Sequence, residues 1–157
     1  GMRSRNIHDS LGYNFRMTEL AAALGIVQLN RLDNRNQKRR ANAEELSTRL
    51  GGYLTTPVEI EGYRHVFHQY TVRVEAGMRN QIRDQLLQRG IASEIFYPKP
   101  LYRISAVSGT ANKRLDTCPI AEQACSEVLS LPVHPGLDFK SLAIVADAVI
   151  DSLSCSV

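Results

Sequence analysis

At 157 residues and 17.5 kDa, the chain has the size of one compact domain. Its composition, 43% hydrophobic and 22% charged with no Trp, excludes a low-complexity or disordered chain and allows a real core. Nineteen Lys+Arg against sixteen Asp+Glu give +3, too little to mark a nucleic-acid binder. Cys118, Cys125 and Cys155 are the only cysteines and form no C-x-x-C pair. That count argues against a disulfide scaffold and a zinc site, and it fits a reducing, cytoplasmic setting. No apolar run approaches the roughly 20 residues that a membrane span needs, and the amino end lacks a signal-peptide layout. Gly1-Met2 reads as a scar ahead of a start methionine.

In chain order, residues 1–16 are polar without clean periodicity and predict an extended lead-in. Thr18 is suited to cap a helix, with Glu19 in the first turn favouring the positive end of the dipole. Leu20, Ala23, Leu24 and Val27 form one stripe, and Ala21, Ala22, Ile26, Leu29 and Leu32 widen it. This stretch, apolar almost all round, should be buried or pack on another chain. From Asp33 the residues turn polar, with Ala41, Leu46 and Leu50 keeping a thinner stripe until Gly51-Gly52. One helix of about 30 residues within 17–52 would be about 45 Å long and would bridge domains or subunits.

Beyond it, residues 53–157 read as a small α+β domain. Gln69–Val74 alternates strictly, placing Tyr70, Val72 and Val74 on one face of a strand. Met78, Ile82 and Leu86 recur at helical spacing up to Gly90, a left-handed cap. Ile91–Tyr97 predicts a second strand stopped by Pro98 and Pro100. Residues 103–117 read as an irregular loop, Pro119–Val128 as a short helix, and Leu129–Val133 as a strand. Asp138 should cap a last helix whose Leu142, Val145, Val149 and Leu153 share a stripe. The order predicts a small sheet with helices packed on one side.

Chemistry-bearing residues are sparse. His65 and His68 are three apart at the mouth of a strand, where that spacing does not place both on one face, so no metal site is expected. Cys118 and Cys125 lie two helical turns apart, too far for a disulfide, and read as small buried hydrophobes. Asn14 and Arg16 precede a helix start, where an amide and a guanidinium can hold an anion such as a phosphate; the same residues also suit a plain helix entry. Phe96 to Tyr102 sets aromatics beside two prolines, either a stiff surface for stacking on a ring or an ordinary strand exit. Arg35, Lys38, Arg39 and Arg40 suit a nucleic-acid or protein partner, but Glu44-Glu45 follow at once, and a solvated helix face is the simpler reading.

The block Gly12-Tyr13-Asn14-Phe15-Arg16-Met17-Thr18-Glu19, followed by Ala21-Ala22 and Gly25, resembles the G-Y-N-x-R-M-T-E signature of the DegT/DnrJ/StrS sugar aminotransferases. Further likenesses follow in order: Gln28-Leu29, Leu32-Asp33, Arg39-Arg40-Ala41, Gln69–Val74, Gly90–Ser93, Tyr97–Leu101, Cys118–Glu122 and Val128–Pro135. The resemblance implies the small carboxy-terminal domain of an aspartate-aminotransferase-like, fold-type-I pyridoxal 5'-phosphate (PLP) enzyme. The preceding large domain, which carries the Schiff-base lysine, has no counterpart here. Lys38, Lys99, Lys113 and Lys140 match no such motif, so no catalytic residue is expected and the chain alone should be inactive.

By this resemblance Asn14 is a cofactor ligand that reaches the PLP phosphate of a neighbouring subunit. Arg16 lies near the substrate diphosphate, and Tyr97 borders the nucleotide-sugar pocket. The family often has His where Phe96 and Tyr102 stand, which leaves the substrate open. The implied whole is a cytoplasmic homodimer joined through the Leu20–Leu32 helix region. It would move an amino group from a donor such as glutamate to a nucleotide-linked keto-sugar, without nucleic acid or membrane partners. A related PLP-dependent sugar dehydratase and a free-standing binding or oligomerisation domain are the alternatives. On this view Gly1-Met2 marks a cut through an enzyme.

Overall fold

The computed structural model describes residues 2–4, 7–13, 15–104 and 117–154. They form two compact units, residues 1–34 and residues 35–157.

In the first unit, β1 (Met2–Ser4) pairs antiparallel with β2 (Ile7–His8). The lead-in is therefore a small hairpin and not merely extended chain. The Thr18 hydroxyl accepts from the Ala21 amide at 3.2 Å and caps α1 (Glu19–Asn30), as the sequence predicts. Two helices, not one, cover the long helical stretch. Arg31 sits between α1 and α2 (Leu32–Leu50), and its N–H is shared by the Gln28 and Leu29 carbonyls, so the regular ladder lapses for one residue. No residue of α1 is buried; Leu20 is 74% exposed and Leu24 59%.

The second unit carries the core. The carboxy-terminal turns of α2 bury Asn42, Ala43, Leu46 and Leu50. Ala41, expected on that stripe, is exposed, because the buried face is rotated by one to two residues toward Asn42 and Ala43. Gly51 ends the helix where a Cβ would lie 2.9 Å from the Ser47 carbonyl oxygen. β3 (Tyr70–Arg73) pairs antiparallel with β4 (Val128–Leu131) in the register Tyr70↔Leu131 to Arg73↔Val128. Tyr70, Val72, Leu129 and Leu131 are buried beneath α2, α3 (Arg79–Gln88) and α5 (Phe139–Ser154) in one apolar cluster. Each fully buried Leu or Val there stabilises the fold by about 1.5–3 kcal/mol. The Tyr70 hydroxyl shares a 2.9 Å hydrogen bond with the Ser47 hydroxyl, and burial pushes its pKa up.

Several predicted features hold. Gly90 follows α3 at φ 74°, a left-handed position that glycine adopts at little cost. Asp138 Oδ1 accepts from the Ser141 amide at 2.8 Å and caps α5, whose Leu142, Val145 and Val149 are buried. α4 spans Pro119–Glu127. The strand expected over 91–97 is reduced to one bridge, in which Glu94 and Ser130 exchange main-chain bonds of 3.1 and 2.8 Å. Pro98 and Pro100 cannot donate to a ladder and limit its extension. Cys118 is exposed and Cys125 half-buried, against the expectation of small buried hydrophobes. Cys118 lies just ahead of the first turn of α4, outside the core, and neither thiol is in a disulfide. Cys155 and most of the loop over 103–117 lie outside the described residues.

Candidate functional site

The predicted site residues are distributed over both units. Asn14 lies outside the described residues. Arg16 is exposed, two residues before the cap of α1, and the Tyr13 and Phe15 rings beside it stack at 5.4 Å between centroids. Tyr97 belongs to the second unit and is 67% exposed, with its ring edge-on to Phe96 at 5.6 Å.

Tyr102, one of the two positions where the family often has His, has a defined role. Its hydroxyl donates to Glu122 Oε1 at 2.8 Å and accepts from the Cys118 amide at 3.1 Å. Arg103 donates to the same oxygen through Nε at 3.0 Å and Nη2 at 2.8 Å. These bonds clasp the single turn Leu101–Arg103 to the start of α4. The Arg103 guanidinium, then the Tyr102 hydroxyl, hold the Glu122 carboxyl below the usual carboxylate range.

The basic cluster on α2 separates into different environments. Lys38 is exposed. Arg40 Nη1 donates to Glu59 Oε2 at 2.6 Å and to the His65 carbonyl at 2.7 Å, which lowers the Glu59 pKa. His65 Nδ1 accepts from the Phe67 amide at 2.8 Å and supports Phe67 at φ 47°, a conformation uncommon for a bulky residue. His65 and His68 line one open cavity with Pro57 and Gln69, and the described residues contain no group of His, Cys, Asp and Glu that could hold a metal.

Arg39 is half-buried and lines a cleft with His68, Gln69, Ser93, Glu94 and His134. The sequence predicts a solvated helix face at Arg39, whereas the structure sets it half-buried in this cleft. Its signal was the spacing of Arg39 and Asn42, three residues apart on one helical face. Asn42 Nδ2 donates to the His134 carbonyl at 2.9 Å, bringing the segment after β4 against that face.

The first unit is a hairpin-and-helix segment, and the second is a small α+β fold that carries polar clefts. The DegT/DnrJ/EryC1/StrS aminotransferase family matches residues 1–150. A pleiotropic regulatory protein of Geobacillus stearothermophilus is 34% identical over 96% of this chain and 41% of its own length. A UDP-N-acetyl-3-dehydro-alpha-D-glucosamine 3-aminotransferase of Acidithiobacillus ferrooxidans is 36% identical over 90% of this chain and 37% of its own. Among solved structures, Streptomyces venezuelae DesV superimposes with TM-score 0.83 at 34% identity, over 97% of this chain and 41% of that one. A sugar aminotransferase of Streptococcus pneumoniae, solved in a PLP form, superimposes with TM-score 0.81 at 25% identity, over 90% and 37%.

The chain belongs to the DegT/DnrJ/EryC1/StrS aminotransferase family. It spans about 40% of the length of these relatives. Among the described residues no helix is long and apolar enough to cross a membrane.

Proposed function

We propose that this chain is the carboxy-terminal portion of a PLP-dependent aminotransferase acting on nucleotide-linked keto-sugars. The observation that carries the reading is the family match over residues 1–150, in relatives that this chain covers only in part. In the complete enzyme bound PLP supplies the electron sink for amino transfer. Asn14 contributes a hydrogen bond to the cofactor phosphate of a neighbouring subunit, Arg16 a guanidinium fork for the substrate diphosphate, and Tyr97 part of the sugar-nucleotide wall. The unburied apolar side chains of α1 provide the dimer surface.

None of the described lysines fits covalent attachment of the cofactor. A Schiff-base amine is desolvated and held in place, whereas Lys38, Lys99 and Lys140 are all exposed; Lys113 lies outside the described residues. No step through PLP is therefore assigned to this chain's own side chains. Their part is binding and orientation.

The test is to incubate the chain with PLP, reduce with borohydride and map adducts by mass spectrometry. The expected result is no stoichiometric modification of a single lysine. One lysine modified to completion would overturn the non-catalytic assignment. A second reading, a free-standing interaction domain, is favoured by the regulatory name of the Geobacillus relative and by the unburied α1. It predicts a native polypeptide without a PLP-lysine segment.

A further inference from the structure

The segment that carries Tyr97 is tied to its unit at two points. On the amino-terminal side, Glu94 and Ser130 exchange main-chain bonds of 3.1 and 2.8 Å, and Ile95 packs against the core. On the carboxy-terminal side, one carboxylate oxygen gathers three donors. Glu122 Oε1 accepts from the Tyr102 hydroxyl at 2.8 Å and from Arg103 Nε and Nη2 at 3.0 and 2.8 Å. The Tyr102 hydroxyl in turn accepts from the Cys118 amide at 3.1 Å. This tie therefore grips α4 through a side chain and through the main chain just ahead of its first turn.

Between the two ties the backbone has little slack. Pro98 and Pro100 each fix their own φ and restrict the residue before them, here Tyr97 and Lys99. The Arg103 amide donates to the Pro100 carbonyl at 2.9 Å and closes the single turn. Pro98, Pro100, Arg103 and Glu122 line one cavity of about 520 Å³, so the proline segment and the tie are adjacent in space as well as in sequence. The Tyr97 ring meets Phe96 and is otherwise largely exposed, so its placement follows that of the backbone. The Arg103–Glu122 ion pair alone is a surface pair that contributes little. Tyr102 strengthens it. That residue is half-buried, and its one hydroxyl proton is committed to Glu122, which leaves none to offer a ligand.

We propose that Glu122 is a positioning residue which, through Tyr102 and Arg103, holds the proline segment and with it the Tyr97 ring. It acts through Tyr97 and not by touching substrate itself. A displacement of about 1 Å in a wall residue is enough to lose its contact, so a remote tie controls how well the wall binds. That the ring faces a nucleotide-linked sugar rests on the aminotransferase reading; the tie itself does not.

The test uses the complete polypeptide that contains this chain, with L-glutamate and whichever of UDP-, dTDP- and GDP-linked keto-sugars it accepts as probes. E122A and Y102F should lower kcat/KM for the keto-sugar about tenfold, the scale of one lost charge-assisted hydrogen bond. Both should leave kcat/KM for L-glutamate unchanged. E122Q, which keeps an acceptor oxygen but not the charge, should fall between E122A and the unsubstituted enzyme. Y97A should lower the keto-sugar ratio too, and E122A should cost nothing further on a Y97A background, because residues that act through one another are not additive. Hydrogen exchange over residues 95–104 should quicken in E122A. Each variant is checked for a thermal transition above the assay temperature, and E122Q and Y102F carry the test if E122A unfolds. Variants as efficient as before, equal losses for both substrates, an additive loss with Y97A, or unchanged exchange would each overturn the proposal and leave the aminotransferase reading standing. Absence of amino transfer by the unsubstituted polypeptide would overturn that reading and the proposal with it.

Discussion

The side-chain amide of Asn42 donates to the carbonyl of His134 across 2.9 Å, joining residues 92 positions apart in the chain. Asn42 is 8% exposed, so neither group has easy access to water in its place. An isolated buried amide costs about 1–3 kcal/mol, and removing the donor orphans the carbonyl. N42A should therefore destabilise the second unit by about that amount in urea titration. An unchanged midpoint would show that the bond contributes nothing net.

Leu46 is fully buried between α2 and the sheet. L46A removes three buried carbons and leaves a cavity, so a loss of about 2–5 kcal/mol is expected. The same denaturation measurement checks it. A loss well below this range would mean that α2 packs on the second unit less tightly than its burial indicates.

Acid should weaken the fold through Glu59, Glu122 and Glu127. Hydrogen bonds from Arg40 to Glu59, from Arg103 to Glu122, and from Gln123 and then Arg73 to Glu127 hold all three below the ordinary carboxylate pKa. These groups bind fewer protons folded than unfolded. Their contribution is complete above the unfolded value, roughly pH 4.3, and is lost as pH falls through the folded values. Stability measured by urea from pH 6 downward should fall, and E59Q and E122Q should flatten that fall. Since these groups face solvent, the effect should shrink in high salt. A fall equally steep in both variants would exclude them as its cause.

The α1 side chains Leu20, Leu24, Ile26, Val27 and Leu29 are exposed together, an apolar surface of the kind that marks an interface. Light scattering should find a dimer or larger species, and L24E/V27E should shift it to monomer while preserving the second unit. A clean monomer in the unsubstituted chain would count against α1 as a self-association surface.

Periodicity revealed the parts of the fold that bury one face. The alternation at Tyr70, Val72 and Val74, the stripe of α5 and the caps at Thr18 and Asp138 are local, and residue type decides them. The break at Arg31 was not legible, because neither glycine nor proline marks it. The lone bridge at Glu94 was hidden because Ile91–Tyr97 has strand-like residues, and what limits it is the chain beyond Pro98. The cleft was hidden for another reason. Arg39 and Arg40 look alike in sequence, and only the tertiary position of Glu59 commits one and leaves the other uncommitted. Among the predicted site residues, Arg16 and Tyr97 are exposed, and the roles of both, like that of Asn14, rest on the resemblance of their motifs.

The most direct test of the central claim is PLP affinity and amino transfer measured on the complete polypeptide that contains this chain, with and without N14A. The account predicts transfer of the amino group from L-glutamate to a nucleotide-linked keto-sugar. It also predicts PLP affinity weakened about tenfold by N14A, the cost of one charge-assisted hydrogen bond to a phosphate. A native polypeptide with no PLP-lysine segment, or an N14A enzyme that holds PLP as tightly as before, would contradict it.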